Sequence, residues 1–105
     1  MEIIRGTTPT IEINIKSDID LSAVAQVWVY ISQFDRVKVD KLIQDVEIQS
    51  EPKKILVRLE QTDTLKLESG SAMFQIRLLL EDGTALATVA SGVSILQVYK
   101  GGVIE

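Results

Sequence analysis

Apolar and polar residues alternate along this chain with a period of two. In TIEINIK, Ile11, Ile13 and Ile15 alternate with Glu12, Asn14 and Lys16. In ILVRLEQ, Ile55, Val57 and Leu59 alternate with Leu56, Arg58 and Glu60. In FQIRLLLE, Phe74, Ile76, Leu78 and Leu80 stand opposite Gln75, Arg77, Leu79 and Glu81. Successive side chains of a strand point to opposite faces, so the pattern predicts antiparallel strands with one face in a core and one in water. The richness in β-branched residues agrees. AQVWVYISQF breaks the rule: Val27, Val29 and Ile31 form an aliphatic row, yet Trp28, Tyr30 and Phe34 load the opposite face with apolar bulk. Gln26 and Ser32 share the Trp28 face, and an aliphatic row is what the other core strands present. The aliphatic row is therefore assigned to the core and Trp28 and Tyr30 to the outside; the opposite choice would make Trp28 the core tryptophan common in sandwiches.

Turn signals divide the strands. Asp82-Gly83 between apolar runs predicts a two-residue type I′ hairpin, since both central positions need positive φ. That register sets Leu80 opposite Ala85, Leu78 opposite Ala87 and Ile76 opposite Val89. It also places Leu79 opposite Leu86 on the outer face. SDIDLSA (17–23) reads as a polar turn, FDRVKVDK (34–41) as a turn at Asp35-Arg36 leading into a short charged strand, and QSEPKK (49–54) as a loop. QTDTLKLESG is the one helical signal, near 62–67, with Thr62 as cap, Asp63 in the first turn and Gly70 past the end. Gly92 is expected to interrupt or bulge the last long strand, and the tail YKGGVIE to be loosely held. Seven or eight strands with turns every 8–12 residues predict an immunoglobulin-like antiparallel β-sandwich, one domain over 1–105.

Composition narrows the chemistry. The 105 residues suit one core, and a net charge of −4 with scattered basic residues gives nothing to track a phosphate backbone. The longest apolar run is strand-sized and the N-terminus lacks a signal-peptide pattern, so the expectation is a soluble protein made in the cytoplasm, without a membrane partner. Histidine and cysteine are both absent, which removes the commonest general base, the commonest nucleophile and the usual ligands of zinc, haem and iron–sulfur clusters. Ser69-Gly70-Ser71 and Ala90-Ser91-Gly92 lack the strand-to-helix context of a nucleophile elbow. No enzyme, cofactor, metal, nucleic acid or small-molecule substrate is expected. Asp18 and Asp20 form a D-x-D loop able to offer oxygens to calcium, but no third acid follows at ligand spacing, and a solvated turn is the plainer reading. The mixed charges from Asp35 to Lys41 read as a wet edge strand protected by its lysines.

The aromatic face is the remaining signal. If Leu79 and Leu86 extend the Trp28 and Tyr30 patch, the four make a contact surface, and a homo-oligomer is the natural consequence. The N-terminal segment offers another cover through Ile3 and Ile4. A different class of function is a monomeric carbohydrate- or surface-binding module with Trp28 and Tyr30 as its sugar platform. A calcium-dependent adhesion domain using Asp18 and Asp20 is a third.

RGTTPTIEINI, VWVYISQ, VRLEQTDTLKLESG and FQIRLLLEDGTALAT follow one another in an order that resembles short prophage-encoded proteins of Gram-positive bacteria. These are similar to the N-terminal immunoglobulin-like domain of the phage baseplate upper protein. The resemblance runs from Arg5 to about Ile104, and RGTTPT and LEQTDTLKL are its most specific parts. It implies a virion tail or baseplate component that assembles with itself and with other phage tail proteins, cytoplasmic when expressed and in the virion tail once assembled. It brings no catalytic residues. Because these 105 residues resemble the N-terminal domain alone and not the extension that links the baseplate protein to its receptor-binding machinery, a small adaptor or accessory tail piece is the expectation.

Overall fold

A computed structural model describes residues 1–15, 19–87, 91–98 and 101–104. The strands are β1 (Glu2–Ile4), β2 (Thr10–Asn14), β3 (Val24–Gln33), β4 (Arg36–Leu42), β5 (Val46–Ser50), β6 (Lys53–Arg58), β7 (Gly70–Leu80), β8 (Ala85–Ala87) and β9 (Ser91–Leu96). One helical turn, α1 (Gln61–Leu65), joins β6 to β7. The larger sheet runs β1-β9-β7-β3-β4 with β8 also on β7, and the smaller runs β2-β6-β5. β8 and β9 pair successive stretches of the β7 edge that faces away from β3. The three strands of the smaller sheet packed on the face of the larger one make an immunoglobulin-like β-sandwich. Every pairing is antiparallel except β1 with β9, which is parallel.

The two sheets close on the residues the alternation marks. Val27, Val29 and Ile31 are buried, as are Ile55, Val57 and Leu59 across the core and Phe74, Ile76 and Leu78 on β7. Each such side chain contributes roughly 1.5–3 kcal/mol through burial. Ile3 of β1 joins this core from the far edge of the large sheet, so the N-terminal segment does not cover Trp28.

Two turns differ from expectation. At Asp82-Gly83 the Leu80 N–H donates to the Thr84 carbonyl at 2.9 Å and the Gly83 N–H to the Leu80 carbonyl at 3.0 Å. The loop thus holds three residues, Glu81 to Gly83, and only Gly83, at φ +91°, is left-handed. Asp82 stays out of that region while its carboxylate accepts the Thr84 N–H at 2.8 Å, a local turn bond that competes with the type I′ geometry. The register moves by one: Leu79 faces Ala85, Leu78 faces Leu86 and Arg77 faces Ala87. Leu86 therefore packs against the core, not beside Leu79. Val89 lies outside the described residues. The two-residue type I′ geometry occurs instead at Phe34-Asp35, one residue before the expected position, with φ of 53° and 60° between the paired Gln33 and Arg36.

The ladder on β7 shifts by one residue between Ala87 (opposite Arg77) and Ser91 (opposite Phe74), so Gly92 itself sits in regular pairing with Met73. α1 is capped at Glu60, not Thr62, because Asp63 reaches back to accept the Glu60 N–H at 2.8 Å. Replacing Gly83 with alanine should cost about 1–2 kcal/mol, the left-handed penalty alone, since a Cβ there meets open space. Thermal unfolding checks this; an unchanged midpoint would mean that the loop relaxes into another turn.

Candidate functional site

The outer face of the large sheet is where the structure leaves apolar bulk uncovered. Because Val27 and Val29 point inward, Trp28 must point outward, between Leu42 on β4 and Arg77 on β7. One row along, Tyr30 lies between Asp40 and Gln75; the next row sets Ser32 between Val37 and Met73. At the other end Gln26 pairs with Leu79. Trp28 is 42% exposed, and Leu42, Met73 and Leu79 are exposed to a similar degree. Tyr30 is half-buried.

Arg77 shapes this face. Its guanidinium carbon sits 5.2 Å from the Trp28 ring centroid, a cation–π contact worth about 0.5–1 kcal/mol at an exposed site. Trp28 and Tyr30 meet edge-on, with centroids 6.3 Å apart and ring planes at 74°. Two rings so disposed do not form the shared plane on which a sugar would stack. Between Trp28, Arg77, Leu79, Gln26 and Ala85 lies a shallow apolar groove of about 120 Å³.

Of the four residues singled out in the sequence, Trp28, Tyr30 and Leu79 share this face. Leu86 does not, because the three-residue loop turns it inward. Phe34 is not on the sheet face either: it sits at the tip of the β3–β4 hairpin, 69% exposed. Pattern reading passed over Leu42 and Met73. Met73 had a signal, since it alternates with the buried Ala72 and Phe74.

Polar side chains brace the sandwich away from this face. Lys41 and Asp63 form a 2.7 Å ion pair between β4 and α1, both largely buried. Burial alone would raise the Asp63 pKa, but the Lys41 ammonium and the Glu60 N–H outweigh it, and the carboxyl is held below the usual aspartate range. The buried Gln33 amide donates to the Glu68 and Ser71 carbonyls and accepts from the Glu68 N–H. The Thr64 hydroxyl accepts from the Gly6 N–H and donates to the Thr7 carbonyl, each at 2.9 Å, while Arg5 donates to the Leu65 carbonyl. Asp20 caps the 3-10 turn Leu21–Ala23, and the Ser22 hydroxyl and N–H hold its carboxyl below its ordinary value. Asp18 lies outside the described residues. Among those residues no three acids, histidines or cysteines gather as a metal site, and no helix is long and apolar enough to cross a membrane.

No family model matches the chain, and no curated protein matches it. Among solved structures the chain is similar to the crystal structure of CopC from Methylosinus trichosporium OB3b, at 13% identity and a TM-score of 0.51, over 95% of this chain and 87% of that one. A likeness at that identity carries the fold, a β-sandwich, and nothing of the site.

Proposed function

We propose that this chain is a non-enzymatic structural module of a phage or prophage tail that works by protein–protein contact through the outer face of its larger sheet. The observation that carries the reading is the exposed row Leu42–Trp28–Arg77 with Leu79 beside it. Tryptophan and arginine are the residues that dominate interface energies, and a sheet face this apolar is a surface that binding removes from water. The tail assignment is supported by the sequence resemblance. Its two most specific segments, RGTTPT and LEQTDTLKL, meet in space through Gly6, Thr7 and Thr64, so they behave as one structural unit. The sugar-platform alternative loses ground to the 74° angle between the two rings.

Light scattering behind a sizing column, on the wild type and on Trp28→Lys, tests the reading. Trp28→Lys should stay folded, within about 2 kcal/mol of the wild type, because the ring contributes a cation–π contact and an edge contact with Tyr30 but no core packing. The wild type should be an oligomer that this substitution disperses. A monomeric wild type whose tryptophan fluorescence moves with added oligosaccharide would replace the reading with the carbohydrate-binding one.

A further inference from the structure

The segment after β9 reads in the sequence as a loosely held tail, yet Ile104 is pinned to α1 at two points. The Gln61 side-chain amide donates to the Ile104 carbonyl at 3.0 Å, and its oxygen accepts the Ile104 N–H at 2.7 Å. A carboxamide offers the same donor and acceptor as a peptide unit, so Gln61 pairs with Ile104 as a residue of a neighbouring antiparallel strand would. Among the described residues these two are the hydrogen bonds that hold 101–104, and both go to main chain. Apolar packing adds little: Val103 is 51% exposed and Ile104 79%. The two ends of the contact differ in firmness. Gln61 opens α1, which is itself tied to β4 by the Lys41–Asp63 pair and to the N-terminal segment through Thr64. Ile104 follows Gly101 and Gly102, both exposed, with Gly102 at φ +112° and open space where a Cβ would stand.

Independently of the outer face, we propose that Gln61 is a latch for the chain's own residues 101–104, a strap that opens and closes at Gly101-Gly102 while the sandwich stays folded. Exposed hydrogen bonds contribute little net, because water replaces them. Ordering a glycine costs more backbone freedom than ordering any other residue. Two such bonds against two such glycines give the strap a low opening free energy, near that of a fraying terminus, whereas the strands of the core open only with the whole fold. The strap therefore has two positions, one laid on α1 and one in solvent. Closing it depends on the main chain of residue 104 and the left-handed backbone of Gly102, not on the side chain of Ile104. Opening it leaves the Gln61 amide with its donor and acceptor in water, so one side-chain amide sets the course of the segment.

Amide hydrogen exchange of the full chain, followed by NMR, tests the latch on the wild type and on Gln61→Ala, Gly102→Ala and Ile104→Ala. In the wild type the Ile104 amide should exchange about tenfold slower than that of a free tail, the protection two weak bonds give. Urea below the unfolding transition should leave that protection unmoved, while it speeds the amides that open only with the core. Gln61→Ala should abolish the protection of Ile104, whereas the Asp63 and Thr64 amides, which donate to the Glu60 carbonyl, keep theirs. Gly102→Ala should abolish it too, since alanine suits the backbone poorly only in the closed position. Ile104→Ala should keep it. A wild-type Ile104 amide as fast as a free tail, or protection that survives Gln61→Ala or Gly102→Ala, overturns the latch. Faster exchange throughout α1 in Gln61→Ala would make Gln61 a part of the helix and not a latch, and lost protection in Ile104→Ala would make the contact one of side-chain packing. Wild-type protection that falls with urea alongside β3 and β7 would make the strap part of the core and remove its second position.

Discussion

Lys41→Met is expected to lower stability by about 2–4 kcal/mol, some 10–25 °C in melting temperature for a domain of this size. Asp63 is largely buried, and its carboxylate is satisfied by the Lys41 ammonium at 2.7 Å and the Glu60 N–H at 2.8 Å. Removing the lysine leaves the charge with one partner, and an uncompensated charge in a dry place costs more than the pair itself was worth. Asp63→Asn added to Lys41→Met should recover much of the loss, because an asparagine oxygen can still accept from Glu60 without carrying charge. The pH dependence has a definite sign. Asp63 has a lowered pKa in the fold, so its contribution is complete above the unfolded value of about 3.9 and fades as pH falls through the lower folded value. The gap between wild type and Lys41→Met should therefore narrow as the solution is acidified below about pH 4. A gap that is constant from neutral pH down to pH 2 would mean that the lysine matters for its packing and not for its charge.

The features legible in the sequence were those set by side-chain period. The aliphatic row Val27, Val29 and Ile31 was enough to place Trp28 outside, because a strand turns every second residue the same way whatever it pairs with. Leu79 followed by the same rule. Leu86 did not, since its face depends on loop length, and a single residue in the loop inverts every side chain after it. The preference of Asp-Gly for a type I′ turn lost to a carboxylate bonding two residues ahead, a competition between two local favourites that composition does not rank. At Phe34-Asp35 the reverse happened: the ladder between β3 and β4 imposed a left-handed pair on a phenylalanine, which no turn preference would nominate. The clamp of Arg5, Gly6 and Thr7 on α1 joins residues nearly sixty positions apart and has no period at all. It surfaced only as two segments of a family resemblance, with no physical reason attached until the hydrogen bonds supplied one.

That clamp carries the second large effect. Thr64 is completely buried, and its hydroxyl both accepts from Gly6 and donates to Thr7. Thr64→Val keeps the shape but removes both part-buried hydrogen bonds, at about 0.5–1.5 kcal/mol for each, so a loss of roughly 1–3 kcal/mol is expected. Thr64→Ser keeps the hydroxyl and gives up one methyl, for about 1 kcal/mol. The order wild type, then serine, then valine is the signature of a hydrogen-bonding role; valine at least as stable as serine would make Thr64 a packing residue only. The position of the damage is a second readout. Gly6 lies two residues after β1, whose three residues pair with that edge of β9. In Thr64→Val the Gly6 amide and the β1 amides should exchange with solvent faster than those of β3 and β7, because the clamp, more than the short parallel ladder, holds β1 in place. Uniform acceleration across all strands would show instead that the clamp stabilises the sandwich as a whole and gives β1 no separate anchorage.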